Sequence, residues 1–154
     1  MDDPDGQGYS NDRTFDDADS VASVSGRYTR SGLKPEQADE ILKKLISYMQ
    51  EKRPYLNRDL SIFDLAAMTG ISRHHITQVL NEHYNRNFYT FINEFRVNEA
   101  AVRMADARFR NYTILAIAYD SGFNSKSAFN KIFLEYKGMT PSEYRTSLNT
   151  NQQH

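Results

Sequence analysis

Between Pro35 and Lys52 the apolar residues recur at intervals of three and four positions, the spacing of one face of an α-helix. Proline fits the first turn of a helix, and Pro54 can end the run because proline cannot continue one. The pattern therefore predicts an amphipathic helix over 35–52 that packs into a core. Its apolar face comprises Ala38, Ile41, Leu42, Leu45, Ile46 and Met49.

Two shorter helices are predicted in SIFDLAAMTGISRHHITQVLNEHY, residues 61 to 84. Ser61 is a suitable N-cap with Asp64 three positions later, and the first helix runs to Met68. Gly70 suits the turn that follows, and a second helix begins near Ser72, again a capping residue. The second helix buries Ile76, Val79 and Leu80.

The same pattern recurs farther along the chain. At an offset of 52 it pairs Ser61 with Thr113, Ile62 with Ile114, Leu65 with Ile117, Ala66 with Ala118 and Gly70 with Gly122. Beyond the turn, at an offset of 53, it pairs Ile76 with Phe129, Val79 with Ile132, Leu80 with Phe133, Asn87 with Thr140 and Phe91 with Tyr144. A small residue where two helices cross and a glycine in a short turn are typical of a helix-turn-helix unit. The sequence thus predicts two copies of this unit.

Between the copies, a stretch without helix breakers predicts one long helix. Its roughly 20 residues would span about 30 Å at 1.5 Å per residue. This length is close to the roughly 34 Å between successive major grooves on one face of a DNA duplex. Its apolar side is predicted to carry Phe88, Phe91, Ile92, Phe95 and Val102.

Charge divides the chain in a way that the net charge of −1 conceals. Residues 1–27 hold seven Asp against Arg13 and Arg27, which leaves 13 acidic and 17 basic residues in the remainder. The acidic segment has few large apolar side chains, so we predict that it is disordered. It is either a solvated tail or linker, or a segment that competes with a polyanion for the basic remainder.

Composition and motifs exclude several kinds of chemistry. The chain has no cysteine, which rules out disulfides, zinc ribbons, iron-sulfur sites and thiol catalysis and favours a reducing, cytoplasmic setting. His74 and His75 are adjacent and point about 100° apart on a helix, so they cannot share a metal from one face. Catalytic motifs and phosphate-binding glycine loops are also missing, so neither an enzyme nor a metal or other cofactor is expected. No apolar run approaches the roughly 18 residues of a membrane span.

Residues 118–145 carry the most specific pattern in the chain. An alanine precedes a Gly-Phe pair, two spaced serines, two phenylalanines, a glycine and a Thr-Pro-x-x-Tyr-Arg ending. The residues are Ala118, Gly122, Phe123, Ser125, Ser127, Phe129, Phe133, Gly138, Thr140, Pro141, Tyr144 and Arg145. This stretch resembles the signature of the AraC-type family of bacterial transcription regulators, with Ala128 as one extra residue before the first Phe of the helix. The resemblance extends over about residues 40–148.

The resemblance implies an all-α fold with about seven helices. The expected divisions are a disordered tail or linker (1–32), a first helix-turn-helix subdomain (33–86), a linker helix (87–107), a second subdomain (108–148) and a disordered end (149–154). It implies binding to double-stranded DNA, with RNA polymerase as a candidate partner. Because such domains are usually attached to a sensor or dimerisation domain, which is missing from this sequence, we expect an output fragment of a longer protein.

The resemblance also assigns candidate contact residues. Base contacts are expected on the exposed faces of the two recognition helices, near their amino ends, where Arg or Lys can read guanine and Asn or Gln adenine. These residues are Arg73, His74, Thr77 and Gln78 in the first copy and Lys126, Ser127, Asn130 and Lys131 in the second. Phosphate contacts are expected where helix amino ends offer unpaired N–H groups, at Ser61, Ser72, Thr113 and Asn124.

Two alternatives stay open. Arg96 in the linker helix could reach DNA or form an internal ion pair with an acidic neighbour, so it is not counted among the contact residues. The rival function is a non-enzymatic module in which the linker helix or helix 35–52 docks a protein partner. DNA binding should weaken steeply with salt, whereas an apolar protein interface should not.

Overall fold

The computed structural model describes residues 33–152, with side chains as far as Thr150. This part of the chain contains seven α-helices and no strand, which confirms the predicted all-α fold. The helices are α1 (Pro35–Lys52), α2 (Ile62–Thr69), α3 (Arg73–His83), α4 (Phe88–Ala105), α5 (Ile114–Asp120), α6 (Lys126–Lys137) and α7 (Pro141–Gln152). Short 3₁₀ turns follow α1 and α4, at Pro54–Leu56 and Ala107–Phe109.

By its contacts the chain forms two units, Met1–Glu40 and Ile41–His154. The first unit includes the beginning of α1, and the second includes the predicted first helix-turn-helix subdomain from Ile41 onward and all of the second. The predicted disorder of 1–32 lies outside the described residues. At the other end, α7 continues to Gln152, four residues past the predicted limit of the second subdomain at 148.

Each copy of the repeat consists of three helices, α2 to α4 and α5 to α7, with a side-chain N-cap before each helix. Capping is a local effect, because the cap oxygen accepts the N–H of a residue two or three positions later. The repeat is therefore visible in the backbone chemistry as well as in the apolar pattern. The paired N-caps are Ser61 and Thr113, Ser72 and Ser125, and Asn87 and Thr140.

The two turns differ by one residue. Gly70 and Gly122 both have positive φ, 75° and 104°, as predicted for the turn glycines. Gly70 and Ile71 separate α2 from its neighbour's N-cap, whereas Gly122, Phe123 and Asn124 precede Ser125 in the second copy. Asn124 is thus the inserted residue that changes the offset from 52 to 53.

The described part of Ile41–His154 contains two apolar cores, and α4 contributes to both. Phe91 and Ile92 belong to the first core with residues from α1, α2 and α3. Val97, Ala100 and Met104 belong to the second core with residues from α5 and α6. The largest fully buried side chains of the neighbouring helices are Leu45, Met49, Leu65, Ile76 and Leu80 in the first core and Ile117, Phe129 and Phe133 in the second.

The predicted apolar face of α4 was wrong at Val102, which is 64% exposed. Val102 is in phase with Phe91 on the helix, but it lies about 16 Å farther along the axis at 1.5 Å per residue. The first core reaches only as far as Phe95, and the second core meets α4 on the face of Val97, Ala100 and Ala101. A single apolar stripe therefore does not describe a helix that serves two cores on different faces.

Candidate nucleic-acid interface

Helix α3 presents the four predicted base-contact residues on one side of its amino-terminal half. Arg73, His74 and Thr77 are exposed and Gln78 is half-buried. Positions 1, 2, 5 and 6 of a helix fall within an arc of about 140°. On the remaining face of α3, Ile76 and Leu80 are fully buried in the first core, and Val79 is fully buried as well.

Two of these side chains have partners within the protein. The guanidinium of Arg73 lies over the ring of Phe63, with its Cζ atom 5.2 Å from the ring centroid. Phe63 is on α2 and is 63% exposed, so this cation–π contact faces the surface. The Gln78 amide donates to Glu82 Oε1 at 3.4 Å.

Helix α6 repeats the arrangement of α3. Lys126, Ser127 and Lys131 are exposed and Asn130 is half-buried, while Phe129 and Phe133 are fully buried. Because the N-caps are Ser72 and Ser125, both predicted sets occupy positions 1, 2, 5 and 6 of their helices. The structure thus places two equivalent sets of polar side chains at the amino ends of two equivalent helices.

Three predicted phosphate contacts are N-caps, so they lie where backbone N–H groups are exposed. The hydroxyls of Ser61, Ser72 and Thr113 accept the N–H groups of Asp64, His75 and Ala116 at 3.1, 3.2 and 3.0 Å. A hydroxyl that accepts in this way can still donate its own proton to a phosphate oxygen.

Asn124 is placed differently, because the cap of α6 is the next residue, Ser125. The Asn124 amide donates to the backbone carbonyl of Arg58 at 3.4 Å, across to the first subdomain. Sequence reasoning missed Ser125, although its offset of 53 from Ser72 marks it as the corresponding cap.

Both expectations for Arg96 were wrong. Its side chain is 5% exposed, and it donates through Nε to the carbonyl of Tyr55 at 2.7 Å and through Nη2 to that of Asn57 at 2.8 Å. Burial lowers the pKa of Arg96 to about 10, so the side chain is still charged at neutral pH. Backbone carbonyls satisfy this charge, and no ion pair of Arg96 occurs within residues 33–152.

A cleft of about 400 Å³ opens beside the N-cap of α2. It is lined by Arg58, Ser61 and Tyr89 together with Asn124 from the second subdomain. Arg58 is exposed and its guanidinium lies 5.0 Å from the centroid of the Tyr119 ring. Sequence analysis did not single out Arg58, since its neighbourhood depends on the second subdomain.

Two further features of the described residues concern metal binding and membrane insertion. Residues 33–152 contain no group of three or more His, Asp or Glu side chains arranged to hold a metal ion. Among the helices of this part of the chain, none has the length and apolar character to cross a bilayer.

Two helix-turn-helix units with equivalent exposed faces, joined by a single helix, define the class of a double helix-turn-helix DNA-binding domain. A family model described as a helix-turn-helix domain matches residues 65–147, more than half of the chain. The chain therefore belongs to the AraC-type helix-turn-helix family of DNA-binding transcription regulators. The resemblance given by residues 118–145 is confirmed, and a protein-interaction module is not favoured.

Relatives in bacteria agree with this assignment. An uncharacterized HTH-type transcriptional regulator of Staphylococcus aureus (strain COL) is 29% identical over 102 residues, 64% of this chain and 13% of the relative. Regulatory protein PocR of Salmonella typhimurium is 26% identical over 117 residues, 76% of this chain and 37% of that protein. The chain thus spans well under half the length of these relatives.

Among solved structures, the fold is similar to a transcriptional regulator from Chromobacterium violaceum described as containing an AraC-type DNA-binding domain. The TM-score is 0.61 at 21% identity, over 72% of this chain and 94% of that one.

Proposed function

We propose that this chain reads a bipartite DNA site with α3 and α6, each lying in a major groove, the two grooves being one helical turn apart. The observation that carries the proposal is the equivalence of the two helices. Each has a serine N-cap, polar side chains at positions 1, 2, 5 and 6, and a fully buried opposite face. In helix-turn-helix proteins the residues near the amino end of the second helix contact base edges.

The length of the linker helix fits the proposal. Helix α4 connects the subdomains and has 18 residues, a length of about 27 Å. Successive major grooves on one face of a duplex lie about 34 Å apart. The length of α4 is therefore of the same order as the groove separation.

The side chains suit base recognition by different means in the two halves. Arg73 can donate to both O6 and N7 of guanine, and Lys126 can donate to the same atoms as a point charge. Gln78 and Asn130 can bond adenine, while His74, Thr77, Ser127 and Lys131 complete the two faces. Ser61, Ser72, Thr113 and Asn124 contribute phosphate contacts, which set the register without reading sequence.

The chain is proposed to act in the cytoplasm as the output domain of a longer bacterial regulator. The support is its short coverage of relatives, 13% and 37% of their lengths. An additional sensor or dimerisation domain and RNA polymerase are the proposed partners besides DNA. Neither a cofactor nor catalysis is part of the proposal.

The test is selection of binding sites from a random DNA pool with the purified chain, followed by specificity profiles of Arg73→Ala and Lys126→Ala. Each substitution should relax preference at its own base pair by about 1 to 3 kcal/mol, in halves of the site about one turn apart. Lys44→Ala, which removes an exposed cation from α1, is the matched control and should leave the preference unchanged. Two-helix reading is wrong if Arg73→Ala and Lys126→Ala alter the same base pairs or alter none.

Salt separates DNA binding from the rival protein-docking function. Each phosphate neutralised lowers log K by about 0.9 per unit of log salt concentration. A specific complex with a steep salt slope supports the proposal. Absence of any selected DNA, combined with salt-insensitive binding to a protein, would contradict it.

A further inference from the structure

The second helix-turn-helix unit packs against a buried junction, which consists of Arg96 of α4 and the segment of the first subdomain that contains Tyr55 and Asn57. Arg96 of α4 holds the segment after α1 through the carbonyls of Tyr55 and Asn57, at 2.7 and 2.8 Å. Two good hydrogen bonds from one guanidinium define the position of this segment relative to α4. Gly122 packs directly against the carbonyl of Tyr55 and the side chain of Arg96.

Gly122 can approach Tyr55 and Arg96 this closely because it has no side chain. A Cβ at this position would overlap the carbonyl oxygen of Tyr55 and would lie 2.7 Å from Arg96 Nε. Gly70, the corresponding turn glycine of the first copy, also has positive φ, but a Cβ there would meet no atom of the described residues within 4 Å. The first turn therefore needs glycine for its backbone angle alone, whereas the second also needs it for contact.

More contacts join the second helix-turn-helix unit to α4 and to the first subdomain. Asn124 donates to the carbonyl of Arg58, and Arg58 lies over Tyr119. Helix α6 is tied to α4 by the Tyr136 hydroxyl, which donates to the carbonyl of Thr90 at 3.0 Å. The second recognition helix is thus held against α4 and the first subdomain by contacts at both ends.

We propose that Arg96 and Gly122 are positioning residues that fix the second recognition helix relative to the first and thereby make the chain selective for the spacing between the two half-sites. This inference rests on the proposed bipartite DNA reading. One added base pair rotates the second half-site by about 34 to 36° and moves it about 3.4 Å. If α3 and α6 are held in a fixed relative position, they cannot follow this displacement. At a wrong spacing the domain therefore loses contacts in one half of the site.

The chain provides matched pairs of variants. Arg96→Met removes the bonds to Tyr55 and Asn57, and its control is Arg145→Met. Arg145 also donates to backbone carbonyls, those of Phe109, Arg110 and Tyr112, but these belong to its own subdomain. Gly122→Ala forces a side chain into the junction, and Gly70→Ala imposes backbone strain at the corresponding turn without that overlap.

The measurement is the ratio of affinities for selected sites whose two halves are at the best spacing or are one base pair closer or farther. The wild-type chain should prefer one spacing by about tenfold or more, the loss expected for a misplaced bidentate contact. Arg96→Met and Gly122→Ala should reduce the ratio to about threefold or less, or shift the preferred spacing, while the two controls keep the wild-type ratio. A general loss of stability would lower affinity at every spacing and leave the ratio unchanged.

Each outcome decides between the possibilities. Circular dichroism identifies variants that remain folded, and Gly122→Ala serves if Arg96→Met does not fold. A folded variant of either kind with wild-type spacing selectivity overturns the inference while leaving bipartite reading intact. Equal effects of Gly70→Ala and Gly122→Ala would also overturn it. If the wild-type chain selects no bipartite site, the proposed function itself is wrong.

Discussion

At the scale of single residues, the two recognition helices hold their first cation differently. Arg73 lies over the exposed ring of Phe63, two residues after the N-cap of α2. The corresponding position in the second copy is Leu115, which is 36% exposed and has no ring to offer Lys126. A guanidinium held over an aromatic face loses less rotamer freedom when it binds a base, because part of its orientation is already set.

Phe63→Leu should therefore weaken discrimination at the base pair that Arg73 is proposed to read. A surface cation–π contact corresponds to about two- to fivefold in affinity, so the preferred base should lose about this much of its advantage. Phe63→Tyr keeps the ring and should keep the preference. Specificity profiles of the two variants provide the measurement, and equal weakening on all sequences would instead show that Phe63 contacts the DNA backbone.

At the scale of elements, α4 is both a linker and part of each core. Its acidic residue Glu99 pairs with two arginine side chains. Glu99 accepts hydrogen bonds from Arg53 and from Arg103, the latter at 2.6 Å. Burial acts to raise the pKa of Glu99, but the hydrogen bonds from Arg103 and Arg53 outweigh it, and the pKa is lowered. Since Arg53 follows α1 and Arg103 is on α4, this carboxylate links the first subdomain to the linker helix.

Glu99→Gln should reduce the free energy of unfolding by about 1 to 2 kcal/mol at pH 7, because charge-assisted hydrogen bonds are replaced by weaker ones. A carboxyl whose folded-state pKa is lowered stabilises the protein above its unfolded pKa, near 4.5, and loses this contribution as the pH falls through the folded value. The difference between the variant and wild type should thus shrink below about pH 4. Denaturant unfolding at several pH values checks this.

Glu51→Gln on the exposed side of α1 is the control for loss of a negative charge. It should leave stability nearly unchanged across the same pH range. A difference between Glu99→Gln and wild type that does not decrease at all as the pH falls from 7 to 3 would show that the charge of the carboxylate is not the source of the stabilisation.

At the scale of the whole molecule, charge is distributed so that the acidic residues concentrate in the first 27 positions. They carry seven Asp and two Arg, whereas the remaining residues have an excess of four basic side chains. A DNA phosphate backbone attracts the basic part and repels the acidic part. The exposed cations of the two recognition helices are Arg73, Lys126 and Lys131.

Removal of residues 1–27 should leave helicity intact and keep DNA affinity level or raise it slightly. The deletion removes five net negative charges from a segment whose composition predicts disorder. Circular dichroism and DNA titration at low and moderate salt provide the measurements. A chain of full length with its first seven Asp changed to Asn separates charge from length, and a large loss of helicity in either form would contradict the prediction.

The sequence predicts those features that depend on interactions between residues close together in the chain. The helices and their repeat depend on caps, turn glycines and apolar periodicity, all of which act over a few residues. Ser61 with Asp64, and Gly70 in its turn, form the predicted local structures. The same local rules identified the exposed faces of α3 and α6, because a residue's side of a helix follows from its position.

By itself, therefore, the sequence determined the all-α class, the doubled helix-turn-helix unit, its family and the candidate reading residues. The tertiary structure decided the surroundings of Arg96, Val102 and Asn124. Arg96 binds carbonyls about 40 positions earlier in the chain, and Asn124 donates to Arg58, 66 positions away. Val102 is exposed because the two cores cover different lengths and faces of α4. Apolar periodicity identifies a face that can be buried, but only the packed neighbours determine which of its residues are covered and which carbonyls a buried arginine meets.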